Sequence, residues 1–316
     1  MVSLQAIRTM KDLNIIIVII LFTGCLSENS NNSSAPYASQ KELTEPVAFA
    51  PDRITTTNGI CFSKDGGTLY TSGQIDRKFN NERNYAGIFE SHYENGQWTD
   101  PQKIKLTPDI DAYHPVLSSD NKMLFFNSRS HPDSGNNAIA HNIWVMHRNE
   151  EGWSRPTMVQ GINSLAYDSY PSIARNNNLY FNSDREGGKG GMDFYVSHFV
   201  DGHYQEPANL ENLNSSDVEN DLVVDPDERF IIFNRYINAT KELDLFISFR
   251  KNNKWTIPRK LDNINAPDTW ELTPSLSPGG KYFFYELKNN IMQIDLAHLI
   301  HPDELEGIGK RVRDIN

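Results

Sequence analysis

Five copies of one pattern run through most of this chain, and a repeat of about fifty residues restricts the fold more than any composition figure does. The copies open at Ile60, Pro115, Pro171, Leu222 and Pro274, at intervals of 55, 56, 51 and 52 residues. Each opening is a short apolar stretch that ends in a turn, as in Ile60-Cys61-Phe62-Ser63-Lys64-Asp65-Gly66-Gly67. Asp, Asn and Gly suit tight turns because they tolerate positive φ or bond their own backbone. A second strand follows, aromatic and β-branched: Leu124-Phe125-Phe126, Leu179-Tyr180-Phe181, Ile231-Ile232-Phe233. After a polar loop comes a third strand, such as Asn142-Ile143-Trp144-Val145 or Asp193-Phe194-Tyr195-Val196. A fourth carries an aromatic with Pro three residues later: Trp98 and Pro101, Trp153 and Pro156, Tyr204 and Pro207, Trp255 and Pro258.

Four short strands at this period read as the blades of a β-propeller. The expected fold class is all-β: a single propeller of four-stranded blades over residues 43–299, with five blades. A six-bladed ring is the alternative, and it needs a further unit that the chain does not display. Pro in the fourth strand fits an outer edge, where a missing N–H costs least. The fifth unit lacks its fourth strand. Thr44-Glu45-Pro46-Val47-Ala48-Phe49 resembles Gln205-Glu206-Pro207-Ala208-Asn209-Leu210, so the N-terminal segment is expected to complete the last blade and close the ring.

The clearest loop, Ser183-Asp184-Arg185-Glu186-Gly187-Gly188, leads to Asp193-Phe194-Tyr195. With the turns Asp225-Pro226-Asp227 and Ser277-Pro278-Gly279-Gly280-Lys281, it resembles the WD40-like Pro-Asp propeller repeat of TolB-like proteins over about residues 43–296. Blade three departs from that repeat at its turn, with Arg175 to Asn178. The resemblance implies a propeller and leaves function open, since such repeats serve many purposes.

The N-terminus reads as an address. Lys11, the apolar run Ile15 to Phe22 and Thr23-Gly24-Cys25 make a secretory signal over residues 1–24. The run is too short for an ordinary transmembrane helix. Its end resembles the bacterial lipobox, which implies a lipid on Cys25, a bacterial cell-envelope location and a membrane partner through that lipid. Facing either the periplasm or the cell surface fits, with the outer membrane as the expected site. Residues 25–42 are rich in Asn and Ser and read as a flexible tether; 300–316 form a polar tail. Cys61 then has no disulfide partner, and its alternation with Ile60 and Phe62 makes it a small buried residue. A net charge of −11 with no basic stripe excludes nucleic acid as an expected partner.

Candidate chemistry concentrates just before each opening. Asp168, Glu219 and Glu271 stand three residues ahead of their openings and Asp111 four ahead, with His114 and Asp221 nearer still. An acidic rim at a channel mouth would bind a cation or a sugar. Asp168, Glu219 and Glu271 could also supply a general acid and base for glycoside hydrolysis, which needs two carboxyls roughly 5–10 Å apart. Against this, a catalytic pair should break the repeat so that its two pKa values diverge, and these acids follow it. Backbone bonding between blades is the structural alternative. Asp184, Glu186 and Asp193 offer oxygen ligands for calcium, but no close ligand spacing compels it and a glycine-rich hairpin is the preferred reading. Otherwise no cofactor is expected, and no resident metal: His131 and His141 flank one long loop without metal-ligand spacing. Asn163, Asn214 and Asn265 recur before blades three to five and read as Asx-type turns. Two functions follow: a non-enzymatic envelope module that binds a protein, peptide or glycan, or a glycan-active hydrolase using the acidic rim.

Overall fold

In a computed structural model the described residues are 42–49, 59–74, 86–107, 110–130, 140–301 and 304. They form a five-bladed β-propeller. The only helical element among them is a 3-10 turn, Leu296–His298. Cys25, the signal and tether segments, His131 and the tail beyond Glu304 lie outside the described residues.

The last blade takes β1 (Val47–Ala48) from the N-terminus. Blade one holds β2 (Ile60–Phe62), β3 (Thr68–Gln74), β4 (Ala86–Glu94), β5 (Gln97–Trp98) and β6 (Gln102–Lys103). Blade two holds β7 (Tyr113–Leu117), β8 (Met123–Ser128), β9 (Asn142–Asn149), β10 (Gly152–Trp153) and β11 (Thr157–Met158). Blade three holds β12 (Asp168–Ile173), β13 (Leu179–Ser183), β14 (Asp193–Ser197), the hairpin β15 (Phe199–Val200) and β16 (His203–Tyr204), and β17 (Ala208–Asn209). Blade four holds β18 (Val218–Val224), β19 (Phe230–Ile237), β20 (Glu242–Lys251), β21 (Lys254–Trp255) and β22 (Arg259–Lys260). Blade five holds β23 (Glu271–Leu276), β24 (Tyr282–Leu287) and β25 (Asn290–Asp295), with β1 on its outer side. All pairings within the blades are antiparallel.

The expected closure is present. β1 pairs with β25, Val47 opposite Gln293 and Ala48 opposite Met292. Phe49 N–H donates to Ile291 O at 2.7 Å, and the Phe49 ring packs edge-on to Phe62, Trp98 and Phe284. One N-terminal side chain thus joins blades five and one.

The core is not at the centre but in the seams. Five apolar clusters of described residues each span two neighbouring blades. Strand alternation explains the aromatic second strands. Successive side chains point to opposite faces, and both faces of a blade are covered. In β8, Leu124 and Phe126 enter the seam with blade one, while Phe125 enters the seam with blade three.

The fourth strand differs from expectation. The aromatic and the Pro do not share one strand. In blade one, Trp98 lies in the short β5 pairing, and the chain rejoins β4 only as β6, beyond Pro101. Pro101 lacks the N–H that the ladder would need, so the outer strand is split around it.

Candidate functional site

The innermost strands of blades two to five each break register once, between Tyr113 and Val116, Ser169 and Ser172, Glu219 and Leu222, and Leu272 and Ser275. Pro115, Pro171 and Pro274 sit in three of these bulges, where a residue without an N–H takes no donor from the ladder. The bulge turns one residue per blade into the central channel: His114, Tyr170, Asp221 and Thr273, with Gly59 in blade one. His114, Tyr170 and Thr273 have φ of 50°, 50° and 49°. That left-handed region is costly for a β-branched Thr. The ring leaves a cavity of only about 30 Å³, so it plugs the channel at this level.

Neighbouring blades are stitched at the ring. Thr273 N–H donates to Asp221 Oδ2 at 2.9 Å, and within blade four Asp221 N–H donates to Asn234 Oδ1 at 2.8 Å. Asn234 Nδ2 donates to Glu271 O, and Asn182 Nδ2 to Asn220 O, both at 3.0 Å. Asp221 Oδ1 is buried without a hydrogen-bond partner, and burial pushes the carboxyl up to about 6. The His114 imidazole meets Tyr170 edge-on at 4.2 Å, and its Nδ1 lies beside Gly59. Burial, with His141 nearby, pushes it down to about 3, so it is neutral at pH 7.

The pre-opening acids lie just outside this ring, and they are bonded into the blades. Asp168 has no exposed surface; its Oδ1 accepts from Arg185 Nη2 at 2.6 Å and its Oδ2 from Ser164 N–H at 2.5 Å. Glu219, equally buried, accepts from Arg235 Nε at 2.6 Å and Ser215 Oγ at 2.7 Å. Arg185 and Arg235 each donate a second time, to Ile162 O at 2.8 Å and Leu213 O at 2.7 Å. Asp111 accepts from Arg129 Nε at 3.0 Å and Ser128 Oγ at 2.7 Å, and those donors hold its carboxyl below the usual range against the cost of burial. In each case one guanidinium ties the acid to its second strand or to the loop entering the blade. Blade five departs: Leu287 stands opposite Glu271 where blade four has Arg235 opposite Glu219. Glu271 accepts from Thr269 Oγ1 and, at 3.4 Å, from Ala266 N–H; burial pushes its carboxyl up.

The Asn residues ahead of blades three to five are not Asx turns. Asn214 Oδ1 accepts from Phe194 N–H at 2.8 Å, while its Nδ2 donates to Phe194 O at 3.0 Å. Asn163 does the same at Ile143 and Asn265 at Leu245. Each amide replaces a strand neighbour for one residue of the preceding blade. The glycine-rich loop also has a packing explanation. A Cβ on Gly188 would meet Asp193 Oδ2 at 2.0 Å, and one on Gly190 would meet Asp217 O at 2.0 Å. Asp184 Oδ1 accepts Tyr167 N–H at 2.7 Å, Asp193 Oδ2 accepts Lys189 N–H, and Glu186 is exposed.

What sequence reasoning missed on this face is aromatic. Tyr113 stacks on His141 at 5.7 Å, and His141 lies against Tyr167 at 5.4 Å. All three are half-buried. Arg129 Nη2 donates to Tyr113 Oη at 2.7 Å. Burial and the Arg129 charge push His141 down to about 4. Leu165 is fully exposed and Trp270 55 % exposed, both in loops that enter the same end of the ring. At the opposite mouth a cavity of about 370 Å³ opens between Val116, Ile173, Val223 and Leu276, with Lys64 and Arg175 at its edge. Cys61, expected to be buried, is half-buried at its border; desolvation pushes its thiol up to about 12.

No protein-family model and no curated protein matches the chain. Solved structures do share its shape. An endo-arabinase from Bacteroides thetaiotaomicron is 9% identical, with 80% of this chain and 97% of that one covered and a TM-score of 0.53. A protein of unknown function from Dyadobacter fermentans is 12% identical, with 80% and 83% covered and a TM-score of 0.49. A putative TolB from Agrobacterium tumefaciens is 12% identical, with 73% and 70% covered and a TM-score of 0.48. At such identities the likeness is one of propeller fold.

Proposed function

We propose that this chain is a non-enzymatic binding or scaffold module of the bacterial cell envelope, lipid-anchored through Cys25, and that a protein, peptide or glycan docks on the loop face around the channel plug. The observation that carries this reading is how the acids are used. Asp111, Asp168 and Glu219 each spend their carboxylate on an arginine and a hydroxyl of the scaffold. A general acid or nucleophile has to reach a substrate, and Asp168, Glu219 and Glu271 expose no surface. What the same face presents outward is a half-buried stack of Tyr113, His141 and Tyr167, with Leu165 and Trp270 exposed. Aromatic rings with a polar tip supply contact area at low entropic cost, for sugar and peptide alike.

Shape does not choose between binding and hydrolysis, because one fold hosts both. The test is retention. Wild-type protein on a resin is expected to retain an envelope protein, peptide or glycan, and Tyr167→Ala and Trp270→Ala are expected to lose it with an unchanged melting temperature. Retention that survives both substitutions overturns the choice of face. Cys25→Ser is expected to move the protein from the membrane to the soluble fraction; a variant still sedimenting with membranes overturns the anchor.

A further inference from the structure

Three seams of the ring are filled by an indole. Trp153 of blade two meets Tyr70 of blade one edge-on at 6.3 Å, and Trp255 of blade four meets Tyr180 of blade three at 6.2 Å. Arg148 and Arg250 cover those indoles at 4.2 and 5.8 Å. Arg148 also reaches across the seam to donate to Tyr70 Oη at 2.8 Å. In blade one, Trp98 is packed by Phe49, Phe62 and Tyr93.

The seam between blades two and three lacks every one of these parts. Tyr204 stands opposite Phe199, where blade two pairs Trp153 with Arg148 and blade four pairs Trp255 with Arg250. Phe125 replaces the phenol of Tyr70. Tyr204 leans on its own hairpin partner Phe199 at 5.0 Å and makes no ring contact with Phe125. The strand is interrupted at His198: β14 ends at Ser197, and β15 and β16 form a separate two-stranded sheet, whereas β4, β9 and β20 run on into theirs. Gln205 N–H still donates to His198 O at 2.9 Å across the break. Asn178 Oδ1 takes the Phe199 N–H at 3.1 Å, a side-chain bond where Arg148 and Arg250 N–H donate to the backbone carbonyls of Lys122 and Arg229. Gly161, with φ of 79°, lets the preceding loop approach Tyr204 O; a Cβ there would meet that oxygen at 3.1 Å.

The result is a cavity of about 430 Å³ between Phe125, Val145, Met158, Phe199 and Tyr204, with Met123 at its side. That volume lies within the range of small-molecule sites. Its walls are mainly apolar, with His147, Thr157, Gln160 and His203 also lining it, and include two flexible thioethers, which adapt to a ring and make favourable sulfur–aromatic contacts. One polar group is buried among them: Tyr204 Oη has no hydrogen-bond partner among the described residues. A buried hydroxyl left unpaired costs about 1–3 kcal/mol, and a ligand acceptor would recover that cost.

We propose that this seam is a binding site for a planar aromatic small molecule carrying one polar substituent, seated where three of the other four seams hold an indole and hydrogen-bonded to Tyr204 Oη. The site is separate from the loop face, and neither reading depends on the other. Indole and 2-naphthol are the probes, titrated into the full chain by calorimetry. Wild-type protein is expected to take up one equivalent saturably. Tyr204→Trp supplies the indole, and Phe199→Arg the guanidinium, that blades two and four carry at these positions; each is expected to weaken binding at least tenfold. Phe199 is only partly buried, so its variant decides the matter should Tyr204→Trp fail to fold. A tenfold loss in either folded variant supports the site. No saturable uptake by wild type, or uptake unchanged in the folded variants, overturns it.

Discussion

Replacing Arg235 by Leu would give blade four the residue that blade five carries at the same register position, Leu287. Arg235 Nε lies 2.6 Å from Glu219 Oε1, and its Nη2 donates to Leu213 O at 2.7 Å. The substitution leaves a fully buried carboxylate with Ser215 as its donor. Removing one partner of a buried pair costs about 3–5 kcal/mol. Protonation caps the charge contribution. Neutralising a carboxyl of ordinary pKa about 4.3 costs about 3.7 kcal/mol at pH 7 and about 1 kcal/mol at pH 5, at about 1.36 kcal/mol per unit. The unpaired Leu213 O adds about 1 kcal/mol or more. Burial already holds Glu219 above its usual range, and losing the guanidinium raises it further. A carboxyl raised in the folded state binds more protons folded than unfolded. Its stabilising contribution is therefore complete below the unfolded pKa and is lost as pH rises through the folded one. Arg235→Leu protein should be less stable than wild type by about 3–5 kcal/mol at pH 7, and by only about 2 kcal/mol at pH 5. Urea unfolding at both pH values measures this. Adding Glu219→Gln should remove the pH dependence. An equal loss at both pH values refutes the reasoning, because the carboxylate would then not be the group left uncompensated.

Phe49, 3 % exposed and within 5.2–6.2 Å of three rings, carries the ring closure. Phe49→Ala should cost about 3–5 kcal/mol, or about 6–20 °C in melting temperature for a domain of this size; an unchanged melting temperature means that the N-terminal strand does not close the ring. Asn214→Ala removes the clamp on Phe194 N–H and C=O and should cost about 2–4 kcal/mol by calorimetry. A loss under about 1 kcal/mol would show that water replaces the amide. Cys61, with its thiol pushed up to about 12, should resist iodoacetamide at pH 8 and react quickly once the protein is unfolded in urea. Rapid labelling of folded protein would contradict the raised thiol.

The ring was legible because each blade repeats its own local physics. Turn residues, aromatic second strands and spaced Pro residues are visible within any fifty-residue window, and Thr44 to Phe49 is recognisable as the missing outer strand. The acids were visible too, but their partners were not weighed: Arg185 and Arg235 lie at the ends of second strands, 17 and 16 residues beyond the carboxylates they bind. The regularity of Asn163, Asn214 and Asn265 was plain. Their bonding was not, since each amide reaches back 20 residues to another blade's strand. Tyr113, His141 and Tyr167 meet only because two blades and a loop converge, so no spacing in the chain announces them. Tyr204 in a Trp position was readable as a departure from the repeat; that a cavity opens beside it was not, since it depends on how blade two packs against the interrupted strand.

On the proposed reading, the acids ahead of blades two to five hold the scaffold together while the aromatic loop face binds. One comparison tests it most directly: melting temperature and activity on a glycan panel, measured side by side for wild type, Glu219→Gln and Glu271→Gln. The expected result is a lower melting temperature for Glu219→Gln and no turnover by any of the three. Wild-type turnover that vanishes in either variant, with the melting temperature intact, would contradict the account and make these carboxyls catalytic.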